Sequence, residues 1–300
     1  MRAPAPEPTR DPDVPPGMSI ALLQDLHLLT RDGKLNADAR RKLKQIRHLV
    51  GLLRPSIDDV LKHGGAPSLV DCGAGKSYLG FLLYELVLGP AGRGTLCAVE
   101  SRPELAQAAD ERARRFGHER LRFVTGRIGE HVGTDDEGER AGPLPAPIHL
   151  VTALHACDTA TDEALALGIS REAGVIAVVP CCQAEVARQL ETGGAARDPV
   201  DQALIEHPLH RRELGSHLTN VVRALCLEAC GYKVTVTELG GWEHSLKNEL
   251  LLARRTFRPE RHVRETRETL ARMLERWRIE PALVCALRAV GHDPTGTSAG

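Results

Sequence analysis

An α/β fold with a mostly parallel seven-stranded sheet ending in an antiparallel hairpin is predicted by three features of the chain. Short β-type runs alternate with helical segments from residue 67 onward, as in a parallel sheet covered on both faces. A glycine-rich turn, Asp71-Cys72-Gly73-Ala74-Gly75, follows the first run and opens a helix. Two late runs, 232–239 and 249–253, are joined by a short loop, which suits antiparallel neighbours at a sheet edge.

In chain order, residues 1–17 carry six prolines without apolar periodicity and read as a flexible leader. In the 18–66 segment, Leu43, Ile46, Leu49, Val50 and Leu53 recur at helical spacing among many cations, an amphipathic basic helix expected to stop at Pro55. Strand one is 68–72, followed by a buried helix over 78–88 that ends at Gly89-Pro90. Strand two is 95–99. Ser101-Arg102-Pro103-Glu104 has capping-box spacing ahead of a helix with Leu105, Ala109, Ala113 and Phe116 inward.

Strand three is 121–125, and the acidic, Gly- and Pro-rich stretch 133–147 reads as a surface loop. Strand four is 148–154, its following helix running from Thr159-x-x-Asp162 to Gly168, and strand five is 175–179. A helix over 221–230 precedes the hairpin. Residues 67–257 thus form the ligand-binding domain, 258–291 a helical extension and 292–300 a flexible tail.

At 300 residues and 42% hydrophobic, the chain can bury a real core, and a net charge of -1 gives no global field for a polyanion. No apolar run is long enough for a membrane span and the start lacks a signal pattern, so a cytoplasmic protein with no membrane partner is expected. The eight cysteines then read as reduced thiols.

The turn after strand one is where a doubly wound sheet binds its ligand. A phosphate-binding loop would need glycine at Val70 ahead of Gly75-Lys76-Ser77, and Asp71 would point a carboxylate into the cradle. A dinucleotide fingerprint would need a third glycine at Tyr78. What remains is D-x-G-x-G with an acid, Glu100, ending strand two, where a carboxylate can accept both hydroxyls of a ribose.

This arrangement resembles the class I S-adenosylmethionine-dependent methyltransferases, with their Rossmann-like fold, over roughly 67–255. The resemblance implies S-adenosyl-L-methionine as cofactor, held by Asp71, Gly73, Ala74, Gly75, Glu100 and Ser101, with Arg127 and Ile128 after strand three. His155-x-Cys157-Asp158-x-Ala160-Thr161, followed by Cys181-Cys182, is similar to the subgroup that includes the tRNA 2'-O-methyltransferase Trm13. The tract Glu243-His244-Ser245-x-Lys247-Asn248 points the same way. This chain departs from the subgroup in having Gln183 after the paired cysteines and no cysteine in 1–66.

Both polar clusters fall at the carboxyl ends of strands, on one crevice. His155 is the candidate general base, with Asp158 orienting it or binding the nucleophile; alternatively His155 caps the following helix. Cys157, Cys181 and Cys182 lack the C-x-x-C spacing of zinc sites, and no deaminase signature is present, so no metal is expected. The cysteines read as the pocket floor.

Three basic stretches, 40–48, 112–122 and 254–278, could meet phosphates, although glutamates interleave the last. Aromatics at 3% offer little for base stacking. RNA is the expected partner through the resemblance. A protein or small-molecule acceptor and a catalytically silent cofactor-binding scaffold are the alternatives.

Overall fold

The computed structural model describes residues 11–131, 144–154, 156–181, 183–192, 198–240 and 248–296. Residues 1–10 of the expected leader, 133–143 of the expected loop and 297–300 of the expected tail lie outside the described residues.

Helices α1 (Ile20–Asp25) and α2 (Ala37–Lys62) precede β1 (Ser68–Cys72) and α3 (Tyr78–Leu83), which continues through a π turn at Tyr84–Leu88 into α4 (Gly89–Ala91). Then come β2 (Thr95–Glu100), α5 (Pro103–Arg115), β3 (Leu121–Thr125), β4 (Leu150–Leu154), α6 (Thr159–Ser170) and β5 (Val175–Val179). Helices α7 (Glu185–Thr192), α8 (Pro199–Ile205) and α9 (Pro208–Ala229) lead to β6 (Tyr232–Glu238), β7 (Glu249–Arg255), α10 (Glu260–Trp277) and α11 (Ala282–Ala289). The sheet order is β3-β2-β1-β4-β5-β7-β6. β7 is antiparallel to both neighbours, which is the expected Rossmann-like sheet with its edge hairpin.

Strand alternation divides the core in two. The register row Leu121, Leu96, Leu69, Leu150 and Val175 packs against α2, α3 and their neighbours. The next row, Cys97, Val70, Val151 and Ile176, faces the helices from α6 onward. The chain's flanks belong to these same layers: Val14, Met18, Leu22 and Leu23 are buried in the first core, and Leu270, Leu283 and Leu287 in the second. Packing therefore starts at or before Val14, ahead of the expected boundary at residue 17.

Several helix limits differ from expectation for physical reasons. Helix α2 runs through Pro55, because Leu53 and Ile57 continue the buried stripe while Pro55 and Gly51, whose carbonyl loses its helical donor, lie on the exposed side. Helix α5 starts from Arg102 without a side-chain cap, so the capping box at Ser101 does not form. Gly168 lies inside α6 rather than ending it. Helix α9 begins at Pro208, thirteen residues before the expected start at 221, since the helix as a whole is only weakly amphipathic.

Asp162, expected to cap α6, is instead buried and gripped in two places by Arg223 of α9, at 2.8 and 2.7 Å. Arg223 is 1% exposed and also donates to the Asp158 carbonyl at 3.1 Å and to Asn220 Oδ1 at 3.2 Å. Removing one partner of such a pair strands a buried charge. Arg223→Met should cost about 3–5 kcal/mol in guanidinium unfolding, and Arg223→Met with Asp162→Leu should recover most of it.

Candidate active site

The backbone after β1 turns through Gly73 at φ 66° and Gly75 at φ 56°, a left-handed region that L side chains resist. A Cβ at Gly73 would also sit 3.4 Å from that of Ala156. The turn is tied to β2 twice: Ala74 N donates to Val99 O at 3.1 Å, and Gly75 N to Glu100 Oε2 at 2.7 Å. Ser77, left-handed as well at φ 55°, donates its N–H to Ala74 O at 2.7 Å and leads into α3.

A cavity of about 460 Å³ opens above this turn. Asp71, Gly73, Ala74, Gly75 and Lys76 line it from the turn, with Tyr78 and Leu79 of α3 and Arg102 after β2. Leu154 and Cys181 close the ends of β4 and β5, Asn248 precedes β7, and Lys42, Gln45 and Ile46 of α2 form the remaining wall. Arg102 fills the space beside Glu100: its N and Nε reach Oε1 at 3.0 and 2.8 Å and its Nη2 reaches Oε2 at 3.2 Å.

Two carboxyls one strand apart are thereby driven in opposite directions. Burial pushes Asp71 up to about 7, against a 2.8 Å hydrogen bond from Thr152 Oγ1, and the Glu100 charge adds to the rise. Burial also raises Glu100, but hydrogen bonds from the Arg102 side chain and from the Arg102 and Gly75 N–H groups outweigh it and hold the carboxyl below its ordinary range. The site thus offers an acid that titrates near neutral pH beside an ionised one.

Of the other expected cofactor residues, Ser101 is exposed and Arg127 is tied to Glu163 at 3.5 Å and, through its N–H, to Glu130 at 3.3 Å. Ile128 is buried in the second core. None of the three lines the cavity, and all lie on the β2 and β3 side of it. His155, Cys182, Glu243, His244, Ser245 and Lys247 lie outside the described residues.

Asp158 departs from the role expected near the nucleophile. Its carboxylate accepts from Ala184 N at 3.2 Å and from Arg188 Nη2 at 3.0 Å, and its backbone sits at φ 49°. It clamps the turn after β4 to the start of α7 and does not line the cavity. The turn after β5 is held similarly: Gln183 Nε2 donates to Asn220 Oδ1 at 2.7 Å and Ser216 Oγ to Gln183 Oε1 at 2.7 Å. Cys157 and Cys181, from these two turns, bring their sulfurs to 3.6 Å. Among the described residues no group of three or more ligands is placed to hold a metal ion.

Sequence reasoning missed the α2 wall and Arg102. Gln45 gave a signal, as a polar residue on the buried face four positions before Leu49. Arg223, set within the apolar Val221-Val222 and Ala224-Leu225, gave another.

Residues 41–189, which run from α2 into α7, match a protein family described as a methyltransferase domain. No curated protein matches the chain. Among solved structures, the chain is similar to the SAH-bound methyltransferase PaMTH1 of Podospora anserina at 13% identity, covering 81% of this chain and 89% of that one, with a TM-score of 0.42. The magnesium protoporphyrin IX methyltransferase of Synechocystis PCC 6803, with bound SAH, gives 12% identity, 79% and 93% coverage and a TM-score of 0.39. The precorrin-6y C5,15-methyltransferase of Geobacter metallireducens gives 16%, 64% and 81%, and 0.37. The chain is an enzyme that carries a methyltransferase domain. Its cofactor is S-adenosylmethionine.

The raised Asp71 carboxyl has a thermodynamic consequence. Its proton is held more tightly in the folded chain than at the ordinary value of 3.8, so this contribution to stability is full below that value and is lost as pH rises to about 7. Asp71→Asn should flatten the fall in Tm between about pH 4 and 7 relative to the unsubstituted protein.

Proposed function

We propose that this enzyme methylates RNA, at a hydroxyl or a base nitrogen, and that the cavity above the glycine turn holds the cofactor's amino-acid end. The observation that carries the cofactor placement is the direct bond from Gly75 N to Glu100, which puts an open backbone cradle and an ionised ribose acceptor on one rim. Glu100 would take the ribose hydroxyls as Arg102 swings off it, and Asp71 would receive the ammonium of the tail. Ser101, Arg127 and Ile128 would flank the adenine side, beyond Glu100. When bound, the cofactor supplies a methyl group on a sulfonium, open to in-line displacement.

The chain's own residues then position the acceptor and exclude water. For a hydroxyl acceptor, His155 would remove the proton, with Asp158 fixing the turn that carries it. RNA is supported by the cations at the cavity, Lys76 together with Lys42 and Arg102, which pair with Asp38 and Glu100, against the single acid Asp71 among the described lining residues. The similarity of the 155–161 and 181–182 strings to the tRNA 2'-O-methyltransferase subgroup points the same way.

The other basic stretches contribute less. Arg112 and Arg115 both pair with Asp25, while Arg255, Arg258, Arg261 and Arg276 pair with Glu172, Glu228, Glu265 and Asp201. A second reading, a small anionic acceptor, is favoured by the size of the cavity, about 460 Å³, which is in the range of small-molecule sites.

S-adenosylhomocysteine should raise the Tm where ATP and NAD do not, and Glu100→Ala should weaken its binding about tenfold or more. With methyl-labelled cofactor, label should enter total RNA and be released by ribonuclease. Label found only in RNA-free extract would overturn the RNA reading.

A further inference from the structure

Gln45 of α2 and Asn248 before β7 lie 203 positions apart and meet inside the cavity, Gln45 Nε2 donating to Asn248 Oδ1 at 3.1 Å. They are 2% and 4% exposed. Asn248 is itself fixed, since its carbonyl accepts from Leu239 N at 2.8 Å. The carboxamide oxygen of Gln45 accepts from no described residue, although Gln45 lines the cavity. Gln45 is thus held by Asn248 through its nitrogen, while its oxygen is left to accept from a ligand in the cavity.

Position in the sheet says which ligand. Strands lie about 4.8 Å apart, so β7 is four steps, roughly 19 Å, from the β2 carboxylate. A ribose held at Glu100 together with its amino-acid tail spans only on the order of 10 Å, enough to reach β4. Asn248, and the amide it holds, therefore lie on the acceptor side.

Between the glycine turn and Asn248 the lining is mostly apolar: Ile46, Leu154 and Cys181, with the half-buried Tyr78 ring, whose centroid lies 5.9 Å from Lys42 Nζ. A flat heterocycle with apolar faces and polar edges matches one polar wall in such a chamber, whereas a ribose is polar all round. Lys42 at the same wall, paired with the exposed Asp38 at 2.6 Å, would meet a phosphate attached to that heterocycle by exchanging that partner.

We propose that Gln45, oriented by Asn248, is a specificity-determining residue of the acceptor subsite, and that it reads the N–H or amino edge of a nucleobase. This inference rests on the RNA reading above and narrows it to a base nitrogen. In the transfer, the nitrogen lone pair forms the new N–C bond as the C–S electron pair returns to sulfur, and the nitrogen proton leaves to water. Gln45 accepts a hydrogen bond from the base edge and fixes which nitrogen faces the methyl group.

The test is methyl-labelled cofactor with the full chain and total RNA, followed by digestion to nucleosides and chromatography. Label should elute with base-methylated nucleosides. Gln45→Leu and, separately, Asn248→Ala should each lower incorporation about tenfold or more while S-adenosylhomocysteine affinity stays within about twofold. Label on ribose 2'-oxygens, unchanged incorporation in both variants, or loss of S-adenosylhomocysteine binding in both with an unchanged circular dichroism spectrum would overturn the proposal. If the unsubstituted protein bound no S-adenosylhomocysteine, the cofactor placement would fail and this inference with it; label confined to protein would instead fail the RNA reading.

Discussion

The 2.7 Å hydrogen bond from Gly75 N to the Glu100 carboxylate joins two features that the sequence separates by twenty-five positions. It requires Gly75 to be left-handed, so that its N–H points across to β2, and it requires Glu100 to end its strand beside β1 in parallel register. Loop shape and carboxylate position are consequently one constraint. The same bond contributes to keeping Glu100 ionised while its near neighbour Asp71, sealed under the turn and bonded to Thr152, is pushed toward neutrality. A turn without side chains at Gly73 and Gly75, with one ionised acid and one that titrates near neutral pH, is suited to a ligand that is itself zwitterionic at one end and a diol in the middle.

The two-faced core explains why the site is stable enough to hold this arrangement. The first face carries α2 directly over the turn, so the helix that fills the core with Leu43, Leu49 and Leu53 also lends Lys42 and Gln45 to the cavity. The second face carries α9, whose Arg223 fastens the Asp158 turn while neighbouring Asn220 and Ser216 hold Gln183. The ends of β4 and β5 are thus braced from behind by buried polar bonds, as a site held to tight tolerances requires.

Much of the sheet was legible because its signals are local. Strand periodicity and flanking turns located β1, β3 and β5 to the residue, and the glycine spacing separated this turn from phosphate and dinucleotide loops. Helix ends were read less well where distant packing decides them. Pro55 stops no helix because the buried stripe passes it, and Ser101 and Asp162 do not cap because Glu100 and Arg223 engage the local donors and acceptors first. Gln45 was visible locally as a polar residue on a buried helix face, but its place in the cavity wall was not, since that depends on a contact with Asn248, 203 positions away.

Arg102 covers the Glu100 carboxylate, so a ribose taken up there as proposed would exchange one hydrogen-bonding partner for another on a preformed acceptor. A crystal structure of the protein with S-adenosylhomocysteine tests this most directly. The ribose hydroxyls should lie within hydrogen-bond reach of Glu100, with the Arg102 guanidinium displaced and the amino-acid tail over Gly73 and Gly75. A bound ligand whose ribose avoids Glu100 while Arg102 keeps its place would contradict the account.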